Sequence, residues 1–196
     1  MSLRRALGVA AASFLLLLLA ADAEAAPSPP ASNQQPLSAD AQAAVPLLDA
    51  EDSYTRQTGF IRLEALREPA TVPVVRRYLK SRNMDTRAFS IRALAAIDGV
   101  NAIPTLLERL KHDRAPRVRV AAILGLETLE DPRVLPALIE RLKDRSADVR
   151  MAAVDSVSRF DRPDAKGAIL KRARRERDRD VQRVLEQAVK RVNGQG

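Results

Sequence analysis

The sequence predicts an all-α fold, an α-α superhelix built from about five helical-hairpin units. Three observations predict it: an arginine recurs at nearly constant spacing, a proline follows it at a fixed distance, and apolar residues recur at the intervals of an amphipathic helix. A single helical hairpin cannot bury its apolar face alone, so consecutive hairpins are expected to stack around one continuous core. No β-type alternation competes with this pattern.

The repeat is set by one position in each unit, which we call the marker. Its four arginines are separated by 31, 32 and 31 residues, and a glutamine follows after another 32. The markers are Arg56, Arg87, Arg119, Arg150 and Gln182. A proline, or once a glycine, falls 17 residues after each arginine: Pro73, Pro104, Pro136 and Gly167. These intervals define units near 41–66, 69–97, 100–129, 132–160 and 163–192.

Each unit is predicted to contain two helices. The second helix begins near the marker, and the residues four, seven and ten positions after the marker form its buried stripe. The first helix carries the proline near its start, where the amide has no intrahelical partner. Asp85, Asp148 and Asp180 are predicted to cap second helices. Small residues three positions after the marker should allow close helix approach: Gly59, Ser90, Ala122 and Ala153.

Two segments carry a resemblance to a known family: "RAPRVRVAAILGLETLEDPRVLPALIERLKD" and "SADVRMAAVDSVSRF". They resemble HEAT repeats, and more narrowly the short bacterial units of phycobilin-lyase-like proteins. The resemblance implies a HEAT-type α-solenoid over nearly all of residues 41–196. Tetratricopeptide repeats fit less well because their period is 34, and the ankyrin signature "TPLH" does not occur.

The same family places an aspartate six residues before the marker arginine. In chain order this position holds Ala50, Ser81, Asp113, Asp144 and Glu176. Asp113 and Asp144 match the family, whereas Glu176 is a substitute and the first two units depart from the pattern. The resemblance therefore implies a ladder between units that is limited to the middle of the stack and formed by Asp113, Arg119, Asp144 and Arg150.

Residues 1–25 are predicted to be a cleaved signal peptide. Arg4 and Arg5 precede an apolar run over residues 6–20, and Ala23-Glu24-Ala25 has the small-x-small pattern of a cleavage site. The alternative is an uncleaved membrane anchor, but the run is shorter than the roughly 20 residues that span a bilayer. Residues 26–40, rich in proline, serine and glutamine, are predicted to be a flexible linker. The predicted location is periplasmic or secreted, with a mature N-terminus near Ala26.

The composition offers little material for catalysis. The chain has no cysteine, which excludes disulfides and thiolate sites, and its single histidine, His112, has no metal-ligand partner at helical spacing. No glycine-rich phosphate loop or serine elbow is present. We therefore predict no catalytic, metal-binding or cofactor-binding residue, no small-molecule cofactor, and a protein that is not an enzyme.

The basic charge of this repeat protein makes nucleic acid a possible binding partner. Removing residues 1–25 leaves the net charge at +8. Only five aromatic residues follow that segment, and at least Phe60 and Phe160 fall in core columns, so no stacking platform is expected. We predict no nucleic-acid partner. The resemblance leaves a lyase-like enzyme component as an alternative, although phycobilin lyases act inside the cell and this chain carries an export pattern.

The leading hypothesis is an exported scaffold or adaptor that binds a protein partner through the concave face of the solenoid. In HEAT-like stacks the second helices line that face. The predicted partner-binding stripe is Gln57, Ile61, Arg92, Val120, Leu124, Glu127, Met151 and Asp155. Its apolar members would mark an interaction site, unless curvature buries them against the next repeat. The alternative function is an accessory or regulatory subunit of an envelope enzyme complex.

Cations recur seven residues after the proline or glycine of the second to fifth units, and five residues after it in the third to fifth, where the second unit has Tyr78. They are Lys80, Arg109, Lys111, Arg141, Lys143, Arg172 and Arg174. Because neighbouring helices lie about 8–10 Å apart, these residues predict a basic outer face. One interpretation is that cations near a helix C-terminus complement its dipole. The other is an anionic partner, such as a membrane surface, lipopolysaccharide or an acidic protein.

Overall fold

A computed structural model describes residues 36–194, which contain ten α-helices and no strand. The helices are α1 Ala39–Ala44, α2 Ser53–Leu66, α3 Val72–Tyr78, α4 Met84–Asp98, α5 Ile103–His112, α6 Pro116–Glu127, α7 Leu135–Arg141, α8 Ala147–Ser158, α9 Pro163–Ala173 and α10 Arg179–Val192. In this range no helix is long and apolar enough to cross a membrane. The predicted signal peptide and most of the predicted linker lie outside the described residues, and residues 39 and 40 already belong to α1.

The helices pack as five hairpins in two layers. Helix α1 and the 3-10 turn Val45–Asp49 pack on α2, and the pairs α3 with α4, α5 with α6, α7 with α8 and α9 with α10 follow. The second helices α2, α4, α6, α8 and α10 contact one another in chain order, and the first helices cover their other side. The predicted all-α superhelix of five helical-hairpin units is therefore confirmed.

The core follows the repeat. The residues four and seven positions after the arginine markers are fully buried: Phe60, Ile91, Ile123, Val154, Leu63, Leu94, Leu126 and Val157. The first helices contribute a matching column of buried residues: Val75, Leu106, Leu138 and Ile169. The column ten residues after the marker is less uniform, since Ile97 is buried whereas Leu66 and Leu129 are half-buried. One hydrophobic cluster thus runs through all five units.

The prediction that Asp85, Asp148 and Asp180 cap the second helices was wrong, because the N-cap residue lies two positions earlier in each case. The capping side chains belong to Asp52, Asn83 and Asp178, four residues before the marker, and the Asn83 carboxamide oxygen accepts from the backbone N–H of Asp85 at 2.8 Å. A capping residue needs extended backbone angles. Asp85 is already helical, so its carboxylate lies in the first turn, where it complements the helix dipole instead.

Gly59 is buried where α2 packs on the first arm of its hairpin. A Cβ atom at this position would lie 2.9 Å from Leu47 Cβ and 3.3 Å from the carbonyl oxygen of Ala44. The corresponding small residues of the next three units, Ser90, Ala122 and Ala153, are also fully buried. The marker-plus-three column therefore lies at close helix contacts, as predicted.

Replacing Gly59 with alanine is expected to destabilise the protein by about 1 kcal/mol, because an overpacking cost of about 1–3 kcal/mol outweighs the gain in helix propensity. Gly167 in α9 is the control, since a Cβ there meets no atom within 4 Å. Gly167→Ala should stabilise the protein by about 0.5–1 kcal/mol. Urea midpoints measure both variants, and a rise for Gly59→Ala would contradict the close packing of the first hairpin.

Candidate partner-binding surface

Buried arginine–carboxylate pairs join successive units. Arg119 donates from Nε to Oδ2 of Asp144 at 3.0 Å and from Nη2 to Oδ1 at 2.6 Å. The arrangement recurs at Arg87 with Asp113 (2.9 and 3.0 Å) and at Arg150 with Glu176 (3.1 and 3.3 Å). None of the six side chains is more than 12% exposed. Two-point pairs of this kind are among the stronger polar contacts in proteins.

Each pair also secures two turns between helices. Arg119 Nη1 donates to the carbonyl oxygens of Asp113 (2.9 Å) and Arg114 (3.2 Å) in its own unit. In the next unit, Asp144 Oδ1 accepts from the backbone N–H of Ser146 at 2.9 Å. Each arginine–carboxylate pair, which we call a rung of the ladder, therefore connects the turn of one unit with the turn of the following unit.

The ladder carboxylates are held in the charged form. Burial opposes ionisation of Asp144, but hydrogen bonds from Arg119 and from the Ser146 N–H outweigh it, so the pKa of Asp144 is lowered. The pKa of Asp113 is lowered for the same reasons, with Arg87 as the main donor. Burial also opposes ionisation of Glu176, yet backbone and arginine hydrogen bonds lower its pKa to about 2.

The ladder is longer than the sequence predicted. Each arginine pairs with the acid of the following unit rather than with the acid of its own, so Arg87 joins the ladder and Arg150 finds its partner in Glu176. Arg56 is the exception, since Ser81 occupies the acid position of the next unit. Its Nη1 donates to the carbonyl oxygens of residues 50 and 51, and its buried Nε has no hydrogen-bond partner within residues 36–194.

The predicted binding stripe lies on the second helices but is exposed unevenly. Ile61 on α2 and Leu124 on α6 are 45% and 46% exposed. Val120 and Met151 are half-buried and pack against the core, and Gln57 is also half-buried. The exposed apolar part of the stripe is therefore narrower than predicted, because packing between neighbouring second helices covers part of it.

The charged members of the stripe form ion pairs between neighbouring helices. Arg92 Nη2 lies 3.1 Å from Glu64 Oε2, which ties α4 to α2. Asp155 contacts Arg191 of α10 at 3.1 Å and Arg159 of its own helix at 2.9 Å. A further pair joins α6 to α8, between Glu127 and Arg159 at 3.0 Å. Arg92 and Asp155 were predicted as members of the partner-binding stripe, but their charges are paired with neighbouring side chains of the same chain.

Two open grooves flank this face. The groove between α4 and α6 is floored by small residues, and Leu124 lines it together with Arg92, Ala95, Ala96 and Gly125. The groove between α8 and α10 has a similar character: its lining includes Met151, Ala152, Asp155, Val184 and Ala188. Each groove therefore combines apolar or small side chains with members of an ion pair.

The two predicted columns of the basic outer face behave differently. The column seven residues after the proline or glycine is exposed: Lys80, Lys111, Lys143 and Arg174. The column five residues after it lies beside the ladder acids instead. Arg172 donates from Nε to Glu176 at 2.8 Å, and Arg141 lies 3.8 Å from Asp144. Arg109 completes this second column and helps to lower the pKa of Asp113. These three arginines are only about 20% exposed.

A further column of arginines was not predicted from the sequence. Arg82, Arg114, Arg145 and Arg177 directly follow the ladder position in four successive units and are all exposed. They are spaced 32, 31 and 32 residues apart. Their periodicity is visible in the sequence, but these residues lie in the turns, outside the helical columns in which the basic face was predicted.

Within the described residues, no group of three or more histidine, aspartate or glutamate side chains is placed to hold a metal ion. The polar side chains that do converge are the rungs and surface ion pairs. Together with the stacked hairpins, they define an α-solenoid whose repeats are joined by an arginine–carboxylate ladder. This is the class of protein to which the chain belongs.

The family model of HEAT repeats matches residues 41–127 and 103–190, which together exceed half of the chain. The chain therefore belongs to the HEAT-repeat family, which confirms the resemblance of its motifs. Among curated proteins, none matches it in sequence.

Solved structures with a similar fold include the following two. One is the complex of CpcE and CpcF of phycocyanin lyase from Nostoc sp. PCC7120, with 23% identity, a TM-score of 0.64, and coverage of 76% of this chain and 98% of that chain. The other is an engineered protein, with 17% identity, a TM-score of 0.50 and 80% coverage of each chain. At these identities the likeness concerns the fold alone.

Proposed function

We propose that the protein is a non-catalytic scaffold that binds a protein partner through the exposed face of its second helices. The observation that carries this proposal is the exposure of Ile61 and Leu124 on a face whose charges are otherwise paired within the chain. A lone exposed leucine is ordinary on a protein surface. Leu124, however, stands beside a groove floored by Ala95, Ala96 and Gly125, which has room for an apolar side chain of a partner.

The grooves suit a protein rather than a small molecule. Both are open, and each places a small apolar centre beside charged side chains that solvent can reach. Protein interfaces have this arrangement, with an apolar centre and a polar rim. Because the two grooves lie on one face and are separated by the contact of α6 with α8, an elongated partner can occupy both.

The similar Nostoc structure is a complex of two chains, which supports a role for this fold in protein assembly. An accessory or regulatory subunit of an envelope enzyme complex is the second candidate, and a lyase-like component is the third. We also propose that the scaffold is exported, because residues 1–25 have the pattern of a signal peptide. N-terminal sequencing of the native protein checks this point, and a chain that begins at Met1 would contradict it.

The binding face is tested with the double variant Ile61→Gln, Leu124→Gln. Partners are captured from envelope extracts on the wild-type protein, identified, and purified, and their affinity is then measured for both proteins. We expect the double variant to bind roughly 30-fold more weakly, since central apolar contacts of an interface contribute 2 kcal/mol or more. The thermal midpoint should hardly change, because both side chains are nearly half exposed.

The matched control is Met84→Gln, Val100→Gln. These side chains are 48% and 56% exposed and lie at or near helix starts, outside the stripe. The control should bind like the wild type. Equal losses of affinity in the two double variants would show a general effect of surface polarity. If Ile61→Gln, Leu124→Gln binds the same partners with unchanged affinity, the face of the second helices is not the binding site.

A further inference from the structure

The edge of the stack where the two helices of each unit join carries a row of cations. We call this the turn edge and define it by its exposed basic residues: Lys80, Arg82, Lys111, Arg114, Lys143, Arg145, Arg174, Arg175 and Arg177. None of these nine side chains forms a salt bridge with a carboxylate of residues 36–194. Many other arginines of the described chain, such as Arg117, Arg133 and Arg183, do form one.

The acids of this edge do not neutralise the row. Asp113, Asp144 and Glu176 occupy the same turns, but each is buried and already paired with a ladder arginine. Glu140 is exposed at this edge and pairs at 3.4 Å with Arg141, which is not one of the nine cations. Between the third and fourth units the edge forms a groove, and six of the ten residues that line it are lysine or arginine. The charge that the turn edge presents to its surroundings is therefore strongly positive.

Stability of the fold does not account for four of the six arginines of the row. A lysine such as Lys111, in the last turn of α5, complements the helix dipole. Arg82, Arg114, Arg145 and Arg177 instead directly precede the N-cap residues of α4, α6, α8 and α10. There the dipole is positive, so a cation is unfavourable.

The ladder does not require these arginine side chains either. Ladder arginines contact Arg82, Arg114 and Arg145 only through their backbone carbonyl oxygens, which any residue provides. One side-chain contact occurs in the column, a hydrogen bond from Arg145 Nη2 to the carbonyl oxygen of Arg114 at 3.1 Å. Four exposed arginines at equivalent positions, none of them in a salt bridge with a carboxylate of the described residues, point to a partner outside the chain.

We propose that the turn edge docks on the surface of an anionic phospholipid membrane. Units separated by about 8–10 Å place the four clusters along a line of roughly 25–30 Å. A planar surface with many phosphates can meet all four clusters at once, whereas a short acidic peptide would fill a single groove. The guanidinium group matches the geometry of phosphate oxygens. No aromatic side chain stands among the edge residues, so the edge has no platform for stacking bases.

The test compares binding of the protein to vesicles of phosphatidylcholine with and without phosphatidylglycerol. Wild-type protein should bind the anionic vesicles preferentially, and added salt should weaken this binding. Each basic residue near an anionic surface strengthens binding by about fivefold. The variant with Gln at positions 82, 114, 145 and 177 should therefore bind at least about 100-fold more weakly, at a thermal midpoint that is unchanged or slightly raised.

A control variant removes the same charge elsewhere, with Gln in place of Arg62, Arg133, Arg162 and Arg183. All proteins begin at Ala26, the proposed mature N-terminus, so the apolar run of residues 6–20 adds no membrane affinity of its own. The control should lose much less binding than the edge variant. Equal losses would assign binding to net charge alone and overturn the proposal. So would a wild type that does not distinguish the two vesicles, or that prefers polyglutamate or single-stranded DNA to the anionic vesicles. If the fourfold edge variant unfolds, the double variants at 82 with 114 and at 145 with 177 replace it.

Discussion

Replacing Arg119 with alanine is expected to lower the free energy of unfolding by about 3–5 kcal/mol. The substitution leaves the carboxylate of Asp144 buried without its two-point partner, and it also frees the carbonyl oxygens of Asp113 and Arg114. Arg141 lies 3.8 Å from Asp144 and compensates only in part. Urea denaturation followed by circular dichroism measures the change.

Two comparisons separate the ladder from ordinary ion pairs. Arg150→Ala should cost less than Arg119→Ala, because Glu176 keeps hydrogen bonds from Arg172 and from the backbone N–H groups of residues 177 and 178. Arg56→Ala should cost less, since Arg56 has no carboxylate partner in the ladder. Arg117→Ala removes the exposed pair with Asp85 and should cost about 1 kcal/mol or less. Equal midpoints for Arg56→Ala, Arg119→Ala and Arg150→Ala would show that the rungs do not stabilise the stack.

Stability is also expected to fall steeply as the pH drops from about 4.5 to about 2. The pKa of Glu176 is lowered from 4.5 to about 2 in the folded chain, so its contribution is present above pH 4.5 and is lost as the pH approaches 2. Such a difference corresponds to about 3 kcal/mol for a fully buried group. Asp113 and Asp144 act in the same direction, because their pKa values are lowered as well.

The variant Glu176→Gln tests this pH dependence. Glutamine cannot ionise, so the variant should be less stable than the wild type near neutral pH, and the difference should shrink towards pH 2. Asp161→Asn, at an exposed position between α8 and α9, should keep the wild-type profile. Parallel profiles for the wild type and Glu176→Gln across this range would mean that Glu176 does not carry the acid sensitivity.

The fold could be predicted from the sequence because every unit repeats the same physical requirements. Leucines and isoleucines return at helical intervals, and a hairpin with one apolar face has to stack. The ladder was harder to predict, because its two residues belong to different units. Asp113 lies near Arg119 in the sequence but pairs with Arg87, and only the packing of adjacent turns shows this.

The candidate site was predicted less well than the core. Helical periodicity separates the buried side from the opposite side, but it does not determine how far a neighbouring helix covers a side chain. Met151 and Leu124 both belong to the predicted binding stripe, yet Met151 is half-buried and Leu124 is exposed. The partners of Arg92 and Asp155 were also missed, since both are contacted by residues on adjacent helices.

Arg56 has no carboxylate partner in the next unit, so neighbouring hairpins are not joined equally strongly along the array. In a linear array each unit is stabilised mainly by its contacts with its neighbours. The junctions after the second, third and fourth hairpins have both apolar packing and a buried ion pair. The junction after the first hairpin has apolar packing and more exposed polar contacts, such as Glu64 with Arg92, but no buried ion pair. We therefore expect the first hairpin to separate from the array at a lower free energy than the others. The first hairpin also carries the exposed Ile61. A partner that binds Ile61 and the following unit together would stabilise the junction at which the ladder has no ion pair.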